Sequence, residues 1–178
     1  FLCLLFHDLG KAATGFQDSL NGKPWNYRHE ILSAGFVPNL NLPEEVKQTI
    51  TMAVATSHHG STYLWRNYRT STEGGRLNWA KKVDEMRPNE EELKRILKDF
   101  VDLAEKYLGG RLDELKNTDY AKNYVDILQS HIRPLLAGEI KVPNDTYNIL
   151  LRGLTMASDH LASAGLKEIR HIHALHRY

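Results

Sequence analysis

The stretch VPNDTYNILLRGLTMASDHLASAG, residues 142–165, opens with the helix-start signal Pro143-Asn144-Asp145 and closes at Gly165. Between them Ile149, Leu150, Leu154, Ala157 and Leu161 recur at helical spacing and form the stripe expected to face inward. Asp159 lies in the middle of this otherwise apolar helix. An uncompensated carboxylate there would be costly, so a cation or a metal ion is its expected partner. Arg152 and His160, on the same helix, are the alternative of a purely structural ion pair.

The same period governs the rest of the chain, and no segment shows convincing alternation of apolar and polar residues, so the fold class read here is all-α. Helices are expected over Phe1 to about Asp8, broken by Gly10; over Ala12 to Leu20, ending at Asn21-Gly22; and around His29 to Phe36. Pro43-Glu44-Glu45 starts a helix that presents Val46, Ile50 and Val54 and stops at Gly60. Ser61 to Val83 reads as a long connection with short structure at most. Pro88-Asn89 begins a charged amphipathic helix through Leu93, Ile96, Leu97, Phe100, Val101, Leu103 and Leu108 to Gly109-Gly110. A further helix spans about Asp119 to Ile132 and is expected to end at Pro134.

With 178 residues, 42% hydrophobic and 25% charged, the chain has the proportions of one globular domain, 1–178, able to bury a core. Phe1 opens inside an apolar run, so further residues of the domain are expected upstream of it. That run is far too short for a membrane span and no secretory signal is present, which points to a cytoplasmic protein. The balance of 23 Lys+Arg against 22 Asp+Glu offers no global field for nucleic acid, so such binding needs a local patch. The single cysteine, Cys3, excludes an internal disulfide and a thiolate metal site. Nine histidines stand out. Any metal would be held by nitrogen and oxygen.

Four segments place metal-capable side chains near helix ends: His7-Asp8-Leu9-Gly10-Lys11, Arg28-His29-Glu30, Ser57-His58-His59-Gly60 and Ser158-Asp159-His160. Taken alone, His29 reads as an ordinary surface or core histidine. His58 and His59 diverge by about 100° on a helix, so both can face one centre only where the helix ends, and Gly60 supplies that end. Several imidazoles and two carboxylates gathered in one pocket describe a binuclear centre, because imidazole suits divalent transition metals and a carboxylate can bridge two ions.

In this order the segments resemble the HD phosphohydrolase superfamily. His-Asp-Leu-Gly-Lys-Ala-Ala-Thr-Gly-Phe-Gln from His7, Arg-His-Glu from Arg28 and Ser-His-His-Gly from Ser57 are most similar to the HD nuclease domain of the CRISPR-associated type I helicase-nuclease, over Phe1 to about Leu166. The resemblance implies a helical HD-domain bundle that cuts single-stranded DNA with two metal ions. Carried over, Asp8 bridges the ions, His7 and Asp159 hold the first, His29, His58 and His59 hold the second, and Lys11 contacts the scissile phosphate or the attacking water. The family has one more ligand for the first ion, a histidine well upstream of the His-Asp pair, where only Phe1 to Phe6 stand here. The second ion's site is therefore expected to be the better formed. Nitrogen-rich ligation favours manganese, iron, cobalt or nickel over magnesium.

Between Gly60 and Val83, Arg66, Arg69, Arg76, Lys81 and Lys82 face only Glu73 in charge, with Tyr63, Trp65, Tyr68 and Trp79 interleaved. Basic groups for phosphates and aromatic faces for bases suit a sequence-tolerant single-strand groove, and the nucleic-acid contacts expected are Arg66, Arg69, Arg76, Trp65 and Tyr68. The same aromatics could instead tuck the loop onto the core. His171, His173 and His176 in the tail, and His131, are read as surface residues. The implied partners are single-stranded DNA, a superfamily 2 helicase on the same or a separate chain, and an RNA-guided surveillance complex. Two other readings differ in kind: an HD phosphohydrolase of small nucleotides, which needs a closed base-reading pocket, and a non-catalytic HD partner-binding module, which predicts a broken ligand set.

Overall fold

The computed structural model describes residues 1–25, 27–68, 81, 89–108, 120–139 and 145–165. Within them the helices are α1 (Leu2–Phe6), a 3-10 turn (Leu9–Ala12), α2 (Thr14–Ser19), α3 (His29–Ala34), a second 3-10 turn (Val37–Asn39), α4 (Glu44–Ala55), α5 (Ser61–Tyr68), α6 (Glu90–Leu108), α7 (Tyr120–Ile127), a π-helical turn (Leu128–Ile132), α8 (Arg133–Leu136) and α9 (Asp145–Ser163). The described residues contain no extended strand, and the all-α reading holds. None of their helices is long and apolar enough to cross a membrane.

Helix α4 is the central element and packs against α1, α3 and α9. Pro43 precedes it and Glu44 and Glu45 occupy its first turn, where acids face the positive end of the helix dipole. It buries Ile50, Ala53 and Val54 but leaves Val46 exposed, contrary to the stripe expected from spacing. Val46 belongs to the first turn, which projects past the core. Phe6, Phe36, Ile31, Leu32 and Val37 are fully enclosed, and the Phe6 ring meets Phe100 of α6 at 5.1 Å between centroids. Burial of a side chain such as Phe6 contributes ~2–3 kcal/mol. On α6, Leu93, Phe100 and Val101 are buried, whereas Leu103 is on the solvent side.

Gly10 joins two parts of the chain instead of breaking a helix. It lies within the 3-10 turn, and a methyl group added there would stand 1.8 Å from the His29 carbonyl oxygen of α3. The Gly10 N–H donates to Ser33 Oγ (2.7 Å), and Ser33 Oγ donates to the His7 carbonyl (2.8 Å). The backbone after the His-Asp pair is thereby pinned to the middle of α3, and α3 is buried from Glu30 through Ala34.

Eight residues of the connection after Gly60 form α5, the short structure allowed for there, whose inner face buries Leu64. Two further expectations are corrected. Pro134 does not end its helix: the preceding backbone widens into a π turn, and the proline falls in the first turn of α8, where its missing N–H is not needed. The second concerns α9, where Ile149, Leu150, Leu154 and Ala157 are exposed, Ile149 by 69% and Leu154 by 65%. The face turned inward carries Leu151, Arg152, Thr155 and Asp159, because this helix closes a polar site and caps α4. The ends Pro88, Gly109-Gly110, Asp119 and Val142 to Asn144 lie outside the described residues, as do Trp79, Lys82 and His171, His173 and His176.

Gly10→Ala is expected to destabilise the protein by more than ~2 kcal/mol, since backbone rather than a flexible side chain blocks the methyl. Gly153→Ala, on the open side of α9, is expected to stabilise it by ~0.5–1 kcal/mol through helix propensity alone. Denaturant unfolding of the two variants beside the parent checks both signs.

Candidate metal centre

Three separated elements converge on Asp8. The residue follows α1 and precedes the 3-10 turn, and its two carboxylate oxygens look in different directions. Oδ1 is 3.3 Å from His29 Nε2 at the start of α3, while Oδ2 is 3.5 Å from His7 Nε2 and accepts a hydrogen bond from Lys11 Nζ at 2.6 Å. On the far side of His7, Asp159 Oδ1 of α9 lies 3.4 Å from the same Nε2. His58, just beyond the C-terminus of α4, stacks edge-on to His29 (5.0 Å between ring centroids) and faces His7 (6.1 Å).

The protein fixes which nitrogen of His7 looks inward. Its Nδ1 sits against the Leu4 carbonyl oxygen, which can only accept, so the proton belongs on Nδ1 and the lone pair on Nε2. Nε2 then faces Asp8 and Asp159, two further acceptors. His7 Nε2, Asp8 Oδ1, His29 Nε2 and His58 Nε2 are all buried without a hydrogen-bond partner. Buried polar atoms left facing one another without hydrogen bonds are costly, and a cation between them removes that cost. The donor set therefore fits divalent metal ions.

Among the described residues two groups of ligand atoms emerge, each within 4.8 Å of one another: Asp8 with His29 and His58, and His7 with Asp8 and Asp159. Asp8 belongs to both. Each group thus offers three residues, so neither side is the fuller of the two. His59 is in neither; its ring lies on Tyr63 of α5 at 4.2 Å, and its Nδ1 is 3.6 Å from Glu30 Oε1. Beside the second group is a cavity of about 80 Å³ lined by His7, Ser57, His58, Thr155, Asp159 and His160 among others. That is room for an ion with some of its water.

The position of Asp159 answers the question raised by its sequence context. Arg152 is committed elsewhere, its Nε donating to the Thr56 carbonyl at the end of α4 at 2.6 Å, and among the described residues Asp159 pairs with His7. This contact between α9 and α4 sets Asp159 opposite the Ser57-His58-His59 turn. Spacing along the chain gave no hint of it, and the same holds for Ser33 and the buried Glu30. Their signals were small: a serine one turn after His29, and an acid directly beside it.

Electrostatics follow from these contacts. Burial by itself raises the Asp8 pKa, but the facing His29 ring, the Lys11 ammonium and His7 outweigh it and hold the carboxyl well below the usual carboxylate range. Asp8 is ionised at any physiological pH. Burial, and then the neighbouring His29, lower the pKa of His58, with Glu30 and Asp8 partly opposing them. A neutral imidazole is what metal ligation requires.

Of the proposed nucleic-acid residues, Arg66 is exposed on α5, in whose backbone Trp65 and Tyr68 also lie; Arg69 and Arg76 fall outside the described residues. Comparison with protein families matches residues 1–165 to the family described as "Cas3, HD domain". No curated protein and no solved structure matches the chain.

In metal-free protein, His58 is expected to titrate below 6.5, its ordinary value. Because the folded pKa is the lower one, the neutral ring's contribution to stability is fully present above the ordinary value of 6.5 and is lost as pH falls from there through the folded pKa. An NMR titration of the imidazole Cε1–H resonances checks it, and a His58 midpoint above 6.5 would contradict the site's geometry.

Proposed function

Because the chain belongs to the family of Cas3 HD domains, which are CRISPR-associated, metal-dependent nucleases, we propose that it hydrolyses phosphodiester bonds in single-stranded DNA at a centre of two divalent ions. The observation that carries this reading is Asp8: one ionised carboxylate directed by Oδ1 to His29 and by Oδ2 to His7, shared between two groups of buried acceptors. His7, Asp8 and Asp159 would hold one ion. Asp8, His29 and His58 would hold the other, with His59 joining them.

When bound, divalent ions supply Lewis acidity, lowering the pKa of water and neutralising charge on the phosphate. The protein's own part is to keep the ligands deprotonated and in place. Asp8 is ionised by its neighbours, the Leu4 carbonyl orients His7, and the ties of Gly10 and Ser33 to α3 keep His7 and His29 beside Asp8. Lys11 Nζ, partly exposed and paired with Asp8, is a cation at the edge of the site, suited to a phosphate oxygen or to the attacking water. The nitrogen-rich donor set suits manganese, iron, cobalt or nickel better than magnesium.

Helix α5 starts immediately after His58-His59-Gly60 and carries Arg66 outward. Arg66, Trp65 and Tyr68, followed in sequence by Arg69 and Arg76, form the proposed strand path. A superfamily 2 helicase, fused or separate, would feed that path in the cytoplasm with the strand displaced by an RNA-guided surveillance complex.

Metal-stripped protein resupplied with Mn²⁺ or Ni²⁺ is expected to cut circular single-stranded DNA faster than with Mg²⁺, and Asp8→Ala to reduce cleavage to background. Cleavage by Asp8→Ala at the parent rate overturns the assignment. Replacing Arg66, Arg69 and Arg76 together by Ala is expected to weaken single-strand binding and to flatten the slope of log affinity against log salt by about 2, three phosphate contacts at ~0.7 each. An unchanged slope in a fluorescence-anisotropy titration excludes this stretch as the path.

A further inference from the structure

Glu30 is a fully enclosed carboxylate, 0% exposed, in the first turn of α3 and adjacent to His29. Charges are rarely buried so completely without several partners. Arg28 Nε donates to Oε1 at 2.8 Å, but Oε2 has no hydrogen-bond partner. What faces the carboxylate instead is imidazole. His29 Nδ1 is 3.7 Å from Oε2 and His59 Nδ1 is 3.6 Å from Oε1. Those are ion-pair separations, and a shift of less than about 1 Å makes either a hydrogen bond.

Both rings present the same nitrogen to Glu30. A carboxylate can only accept, so each Nδ1 that faces Glu30 calls for the proton; Asp8 Oδ1 makes the same demand on His29 Nε2, and an ion between Nε2 and Asp8 is what leaves the proton on Nδ1 and the lone pair on Nε2. For His29 that Nε2 is the atom 3.3 Å from Asp8 Oδ1. His7 reaches the same tautomer through the Leu4 carbonyl. His29 and His59, at the N-terminus of α3 and beyond the C-terminus of α4, have no such backbone acceptor among their described contacts and share one side-chain carboxylate instead.

Resting on the metal-centre reading above, we infer that Glu30 is a positioning residue of that centre: it holds His29 and His59 by their Nδ1 atoms, so that both offer Nε2 to the ion that Asp8 shares, and Arg28 holds Glu30. It touches neither ion nor substrate. Carboxylates behind ligating histidines set ring orientation and ligand basicity, and their loss typically weakens metal affinity by about 10- to 100-fold. The same carboxylate also explains how His59, outside both compact ligand groups, is kept near the site.

The test uses Mn²⁺ alone as the probe. Calorimetric titration of metal-stripped parent, Glu30→Gln, Glu30→Asp and Asp8→Ala is read beside long-range ¹H–¹⁵N spectra of the histidine rings in metal-free protein. The parent is expected to show His29 with its proton on Nδ1, Glu30→Gln to lose about 10- to 100-fold in Mn²⁺ affinity, and Glu30→Asp to recover part of it. Proton on Nε2 of His29 in the parent overturns the inference even if no variant folds. So does Glu30→Gln binding Mn²⁺ as tightly as the parent, which leaves the centre standing and reduces Glu30 to a partner of Arg28. A parent that binds no Mn²⁺, matching Asp8→Ala, overturns the metal centre itself and this inference with it.

Discussion

The molecule is organised by one close approach of backbone to backbone, where the 3-10 turn after Asp8 lies so tightly on α3 that only a glycine fits beneath the His29 carbonyl. The contact has no chemistry of its own, yet it determines the distance between Asp8 and His29. Ser33 extends it by accepting from the Gly10 N–H and donating to the His7 carbonyl, so the loop holding two candidate ligands is tied at both ends to the helix holding a third. With α3 buried along its length, none of these groups can drift without disturbing the core. Preorganisation of that kind is what a ligand set needs if its mutual repulsion is not to push it apart before an ion arrives.

Repulsion is the second theme. His7 Nε2 is an acceptor set against the carboxylates of Asp8 and Asp159, and the inner nitrogens of His29 and His58 and Oδ1 of Asp8 are buried without hydrogen-bond partners, an arrangement assembled at some expense to stability. Lys11 relieves part of it by pairing with Asp8 from the open side. The polar inner face of α9 belongs to the same economy of charge, since Arg152 satisfies the end of α4 while Asp159 is left to face His7. A helix whose most apolar stripe lies outward makes sense only because its other side closes this site.

Sequence pattern recovers the helical class and most helix positions, since apolar periodicity and helix-end signals are local properties. It goes wrong where long-range contacts override them. Spacing predicts that the richest apolar stripe of α9 is its buried face, although Ile149, Leu150 and Leu154 face out. Pro134 signals a stop, although a π turn carries the chain past it. Gly10 signals a break or kink because local rules treat glycine as flexible, whereas its role here is to leave room for α3.

By itself, the order of residues determined that histidines and acids occur in four short segments next to helix ends, and their pattern named the family that the family comparison also finds. Which atoms meet was decided only by tertiary structure: that Asp8 divides its two oxygens between His7 and His29, that Asp159 faces His7 rather than Arg152, and that Glu30 stands behind two imidazoles. The physical reason is range. Helix formation is governed by neighbours a few residues apart, whereas the facing of side chains depends on how α1, α3, α4 and α9 pack, and their packing joins residues as far apart in the chain as His7 and Asp159.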